Sequence, residues 1–344
     1  MGNTSSWDFT MLSYMIRRII YMIPTIILIS IISFGIVQMI PGNYLTQHKF
    51  DPTIDRKMIE QQKERLGLDK PIYVRYWKWV KNVVTKGQLG FSFANYAPVS
   101  TVLFQGRIGY TIFLGMITML FTYLLAIPIG IYSAVHQYEP SDHFFTLLSF
   151  IGLSVPNFFL ALVLLFFLAA VLQVGPSLGV GGLFIQKYIS APWFSGAMPN
   201  WGKIGNFFWH IWPYVIAVGT ASMAGVVRLM RGQMLEFLNR QFAQTAESKG
   251  LTYRSVVYKH VFRNAINPLI TNFGYNFRRL VSGALITAIV LGVPTVERAY
   301  WTALNQQDEQ VIMVGLTFFA LTLLFGNLVA DFLLAWNDPR IRYE

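Results

Sequence analysis

The residue types that do chemistry are few and scattered in this sequence. Five histidines, His48, His136, His143, His210 and His260, stand apart, and no pair has metal-ligand spacing with a carboxylate. The chain has no cysteine, which removes disulfides, thiolate metal sites, iron–sulfur clusters and thiol nucleophiles. G-x-x-x-x-G-K-[ST], H-E-x-x-H and G-x-S-x-G are absent, and Gly202-Lys203 lacks both the upstream glycine and the Ser/Thr of a phosphate loop. Phosphate-loop ATP hydrolysis, zinc proteolysis and serine hydrolysis are therefore not chemistries of this chain, and no metal ligand set is assigned. What remains is charge placed in or beside apolar runs. Asp331 lies near the end of the last such run, either as a functional intramembrane group or as a helix-end residue paired with a nearby Arg or Lys. Arg278 and Arg279 either face a wet cavity or partner subunit, or snorkel to headgroups; a charge at mid-membrane costs about 2.5–3.5 kcal/mol on insertion scales.

The elements that must position these groups follow from composition. Of 344 residues, 54% are apolar and 12% charged, against about 25% charged in soluble domains. A chain this apolar is read as an all-α integral membrane protein. A helix needs about 20 mostly apolar residues to cross the hydrocarbon core, and six segments qualify: residues 19–40, 108–135, 144–174, 207–227, 269–293 and 311–336. Pro24, Pro128, Pro156 and Pro213 interrupt four of them, which packed neighbours tolerate. Alternating ten-residue segments of a β-barrel are missing. The first run is too long for a cleaved signal, and no small-residue cleavage site follows it.

Orientation follows from Lys and Arg in the short loops. Arg17 and Arg18 precede the first span in a cytoplasmic N-terminal segment, residues 1–18. The stretch from Arg228 to Arg279 holds nine basic residues, Arg231 among them, against Glu236 and Glu247, a net +7 of the chain's formal +11. Six spans with both termini inside place this loop in the cytoplasm and residues 41–107 and 175–206 outside. The weak point is residues 136–143, which should be cytoplasmic yet carry no Lys or Arg. The outside stretches contain a helix-like run at 55–66 and an aromatic run, Tyr73-Val74-Arg75-Tyr76-Trp77-Lys78-Trp79. They form either a cap or docking surface, or an interfacial aromatic belt with ordinary loops.

The basic loop carries the most information. It reads as a short helix ending at Gly250 in a left-handed cap, then a second helix N-capped by Thr252 and ending before Pro268. Two short helices at a sharp bend make a projecting elbow, suited to a cytoplasmic partner or to anionic lipid. Ala243, Ala246 and Gly250 recur along one side, a spacing expected to favour close contact with another protein.

This loop resembles the EAA loop of binding-protein-dependent ABC importer permeases. The triplet stands here as Gln244-Thr245-Ala246, followed by Gly250 and Pro268. Further matches point to the dipeptide/oligopeptide/nickel subfamily. These are Met15-Ile16-Arg17-Arg18, Ile40-Pro41-Gly42, Leu66-Gly67-Leu68-Asp69-Lys70-Pro71, Gly87-Gln88-Leu89-Gly90-Phe91-Ser92, Ser154-Val155-Pro156-Asn157-Phe158, Arg228-x-x-Arg231-x-x-Met234-Leu235-Glu236 and Asp338-Pro339-Arg340-Ile341-Arg342-Tyr343. Their order and spacing cover residues 12–343.

The resemblance implies a type I ABC importer permease fold in a prokaryotic inner membrane, with residues 108–336 as the core and 228–268 as the coupling loop. It implies a second homologous permease, two ATPase subunits that hold ATP and Mg, and an extracytoplasmic solute-binding protein; the basic loop then faces ATPase and lipid headgroups, not nucleic acid. Ala243, Gln244, Thr245, Ala246, Glu247, Lys249, Gly250 and Leu251, with Pro268, would couple to the ATPase. Arg278, Arg279, Ser154 and Asn157 are pathway candidates, and Arg17, Arg18, Arg228, Arg231 and Asp331 are structural. The chain departs from the pattern at Ala288, where a glutamate is usual, at Pro294-Thr295 in place of Pro-Gly, and at Arg278-Arg279 in place of small residues. The implied cargo is oligopeptide, with oligosaccharide as the alternative; nickel fits least, since no His-rich or acidic pathway is visible. The nine tryptophans suit sugar stacking or an interfacial belt equally. An ion-coupled secondary transporter would need intramembrane carboxylates and inverted repeats, and a membrane enzyme a convergent acid–base constellation.

Overall fold

The computed structural model describes residues 4–39, 57, 60–61, 64, 70–171, 191–195, 198–282 and 284–337. Four of the described helices are long and apolar enough to cross a membrane: α1 (Thr4–Met39, over Ile16–Met39), α4 (Ile108–Val135), α7 (Trp201–Leu238) and α15 (Glu309–Asn337). Pro24, Pro128 and Pro213 lie inside the first three without breaking them.

Pro156 behaves differently. It separates α5 (Pro140–Ser154) from α6 (Asn157–Phe166, continuing as a π turn to Val171), and the two are bent by 96°. The proline ring pushes the preceding residue out of the helical region, and Val155 is extended at φ −85°, ψ 119°. The expected span at 144–174 is thus a bent pair, giving a fifth crossing only if the pair counts as one; residues 172–174 lie outside the described residues. The expected span at 269–293 is segmented into α11 (Asn267–Thr271), α12 (Phe273–Ser282) and α13 (Leu285–Val290). None of these reaches the length a single continuous crossing needs.

The chain divides into two compact units. One comprises Arg18–Ile112 and Pro294–Thr322. Its core joins Phe34 and Val37 of α1, Val99 and Leu103 of α3 (Val99–Leu103), Val296 and Ala303 of α14 (Val296–Asn305), and Val311 to Val314 of α15. Tyr76 and Trp79 of α2 (Ile72–Lys86) pack against it. The backbone N–H of Val296 donates to Thr111 Oγ1 (2.9 Å), and buried Asp308 caps α15 while accepting from Ser92 Oγ (2.6 Å) and the N–H of Ala94 (3.3 Å). A buried carboxylate survives there because donors surround it.

The other unit comprises Met1–Arg17, Phe113–Val293 and Leu323–Glu344. Here α7 packs along α5 and α6. Glycines permit the tightest approaches. A Cβ on Gly274 of α12 would fall 2.5 Å from the backbone nitrogen of Asn327, and one on Gly326 of α15 2.9 Å from Gly274 Cα. Small residues bring helix backbones together where hydrophobic driving force between them is weak.

Candidate functional site

The elbow begins where α7 runs past its apolar stretch into Arg228, Arg231 and Glu236. The helix stops at Asn239, and Arg240 in extended conformation starts α8 (Gln241–Ser248). The turn after α8 is a Schellman cap: Leu251 N–H donates to Ala246 O (3.3 Å), Gly250 N–H to Glu247 O (2.9 Å), and Gly250 has φ +78°. The left-handed cap read from the sequence is therefore present. Thr252 starts the next helical run, but its side chain makes no cap bond; its backbone oxygen accepts from Ser255 and Val256 instead. That run comprises α9 (Tyr253–Ser255), a π turn at Val256–Val261 and α10 (Phe262–Ala265), and Pro268 then occupies the first turn of α11. Proline is tolerated there because that N–H has no intrahelical acceptor.

One expectation needs correcting. Ala243 and Ala246 do not present a small-residue face to another protein. They are buried at 1% and 8% exposure in this chain's own core, with Val256, Val257, Val261 and Met230. Their small side chains let α8 fold back closely onto the π turn. The face left exposed is formed by Phe242, Gln244, Thr245, Glu247, Lys249, Gly250, Leu251 and Tyr253. Gly250 has open space around it, so conformation alone demands glycine there.

The group that sequence reasoning passed over is Asp142, in the first turn of α5. Arg231 donates to it through Nε (2.9 Å) and a terminal nitrogen (2.7 Å), a two-pronged pair. Ser133 Oγ and the backbone N–H of Tyr138 (3.1 Å) also donate to this carboxylate, which is 2% exposed. Two acidic residues, Glu139 and Asp142, in a segment lacking Lys and Arg were the available signal, yet the partner of Asp142 lies 89 positions away. Nearby, the Arg228 guanidinium sits 5.7 Å from the Phe150 ring centre, a cation–π arrangement. On another side of the elbow, Asn337 at the end of α15 donates to Arg263 O (2.9 Å) and Asn267 Oδ1 (2.6 Å).

Ser154 and Asn157 flank the 96° bend. Ser154 Oγ donates to Phe150 O (2.8 Å), and Asn157 Oδ1 accepts from the N–H of Phe158 (2.9 Å). Asp331 is half-buried on α15. Arg17 and Arg18 are exposed on α1. The side chains of Arg278 and Arg279, the 41–56 stretch and the 338–344 motif lie outside the described residues.

Glu297, in the segment between the last two apolar runs, is a further buried acid, and no sequence signal marks it. It is 3% exposed, and burial raises its carboxyl to about 7 from 4.5. Protonation of a group whose folded pKa is raised stabilises the fold below its unfolded pKa. That stabilisation is lost as pH rises through about 7, by up to roughly 3 kcal/mol. The detergent-solubilised protein should melt at a lower temperature at pH 8 than at pH 5.5. Glu297→Gln should flatten the difference, and an undiminished pH dependence in that variant would overturn the assignment.

Comparison with known proteins gives consistent matches. The family model for the binding-protein-dependent transport system inner membrane component matches residues 126–343, and the corresponding N-terminal model matches residues 11–115. Among curated relatives, the oligopeptide transport system permease protein AppB of Bacillus subtilis is 33% identical across 97% of this chain and all of its own length. The dipeptide transport system permease protein DppB of Escherichia coli K12 is 32% identical, and the glutathione transport system permease protein GsiC of E. coli O6:H1 is 29% identical, with the same coverage.

Proposed function

We propose, from the premise that this chain belongs to the family of binding-protein-dependent transport system inner membrane components, that it forms half of the translocation pathway of an ATP-driven oligopeptide importer. The chain is a multi-pass inner-membrane permease of the ABC type. The cargo and partners are the proposed part. Peptide cargo is favoured by relatives named for oligopeptide, dipeptide and glutathione transport, each matched over its full length.

In this reading the bent pair α5–α6 and the segmented run α11–α13 each count as one crossing, giving six spans with both termini on the elbow's side. Two contacts favour that topology. Arg231 holds Asp142 of the 136–143 segment, and Asn337 holds Arg263 and Asn267. These draw the uncharged loop, the elbow and the last helix end together. The single observation that carries the mechanism is the elbow itself. Its Schellman cap stiffens a projecting turn whose exposed Phe242, Leu251 and Tyr253 suit a groove on an ATPase subunit.

The proposed cycle is alternating access. ATP-driven closure of two ATPase subunits displaces this elbow and that of a second, homologous permease. The rigid coupling of α8 to α7 through Ala243 and Ala246 passes the movement to the spans. ATP and Mg are held by the ATPase subunits. Arg278, Arg279, Ser154 and Asn157 remain the pathway candidates, and an extracytoplasmic binding protein supplies the cargo.

The test is reconstitution of the full complex in proteoliposomes with labelled short peptides and labelled oligosaccharides. Peptide uptake should require ATP and the binding protein. Uptake of oligosaccharide alone would move the assignment to that cargo. Uptake driven by an ion gradient without ATP would replace the importer with a secondary transporter.

A further inference from the structure

The helix α2 is not used by the coupling mechanism, and its two faces differ sharply. One face is anchored to the first span. Tyr76 Oη shares a 2.7 Å hydrogen bond with Ser30 Oγ, and the rings of Tyr76 and Phe34 meet edge-on at 5.4 Å. Tyr76 and Trp79 pack on the cluster that contains Val37. All three α1 residues belong to the apolar stretch that ends at Met39. At about 1.5 Å per residue they lie roughly 3–14 Å before that end. A helix seated against this part of a span is held at the depth of the headgroups and the upper acyl chains.

A neighbouring face is bare. Tyr73 (74% exposed), Trp77 (70%) and Val84 (77%) share one stripe at i, i+4 and i+11. Exposed Lys81 flanks it, exposed Lys70 and Lys86 stand at the two ends of the helix, and no Asp or Glu occurs between Lys70 and Gly90. Beside it, α1 exposes Ile27, Ile31, Ile32 and Ile36, as a lipid-facing span does.

We propose that α2 is an interfacial helix that binds anionic phospholipid headgroups. Its Tyr73–Trp77–Val84 stripe lies at the acyl boundary, and Lys70, Lys81 and Lys86 reach the phosphates. Trp and Tyr partition to this layer because one end of each ring is apolar and the other wet. Lysine stems cover apolar surface while their ammonium groups stay among the headgroups. Depth favours lipid over a protein occupant: the helix is seated near the end of a span whose neighbouring isoleucines are exposed. The excess of lysine over acid along this helix selects anionic over zwitterionic lipid.

The absence of native cysteine makes the test direct. Trp77→Cys in the full-length chain carries a nitroxide label in nanodiscs of phosphatidylglycerol with phosphatidylethanolamine, or of phosphatidylcholine alone. In the anionic discs the label should collide with dissolved oxygen far more than with a water-soluble nickel chelate. Phosphatidylcholine discs, or Lys70→Gln, Lys81→Gln and Lys86→Gln combined in the labelled chain, should raise nickel access severalfold. Equal nickel access in both bilayers overturns the proposal. So does shielding from both reagents, which would report a protein covering the stripe. These side chains are all solvent-exposed, so the variants leave the core intact.

Discussion

Gly250→Val is expected to leave the chain in the membrane while uptake falls roughly tenfold and ATP hydrolysis by the assembled transporter continues. The reason is backbone conformation. Gly250 has φ +78° and nothing within 4 Å of where a Cβ would stand. A left-handed residue with a branched Cβ costs about 1–2 kcal/mol or more, and about 1.4 kcal/mol corresponds to a tenfold change in population. That strain falls on the two cap hydrogen bonds to Ala246 and Glu247, so the elbow loses its fixed shape. Gly250→Asn should be nearly neutral, because asparagine tolerates this region. The measurement pairs peptide uptake with phosphate release in the same proteoliposomes. Normal uptake by the Val variant would end the coupling role assigned to this turn.

Arg231→Ala should carry the largest cost in stability. It leaves the 2%-exposed Asp142 carboxylate without its two-pronged partner. Removing one member of a buried pair costs about 3–5 kcal/mol. The Arg231 side chain is 27% exposed, which moves the expectation to about 2–3 kcal/mol. Arg231→Lys should recover only part of it, since an ammonium cannot reproduce the planar fork. Asp142→Asn in the Arg231→Ala background should restore more, because the stranded charge is then gone. A double-mutant cycle on thermal unfolding in detergent measures the coupling. An Arg231→Ala protein that unfolds like its parent would show the pair to be incidental.

Much of the elbow was legible because it is local. A glycine after a short helical run, an extended Thr252 and a proline at the next helix start are signals carried by adjacent residues, and the backbone follows them. The inward packing of Ala243 and Ala246 was not legible. Helical spacing says which residues share a face, and small size says that something approaches closely. Neither says whether the neighbour is a partner or the chain's own π turn at Val256–Val261. Thr252 illustrates a smaller miss: it has the right backbone for a cap, while its side chain goes unused.

By itself, the sequence determined the membrane class, four of the six spans it predicts, the basic elbow and its left-handed cap. Each depends on composition or on contacts within a few residues. Only the tertiary structure decided that Pro156 yields a 96° bend while Pro24, Pro128 and Pro213 stay within continuous helices. A proline removes one hydrogen bond in every case, and the surrounding packing settles whether the helix continues. Tertiary structure alone also decided that Arg231 meets Asp142, and that Glu297 is buried. A charge announces in the sequence that it needs a partner, but which residue answers across 89 positions depends on how the helices pack.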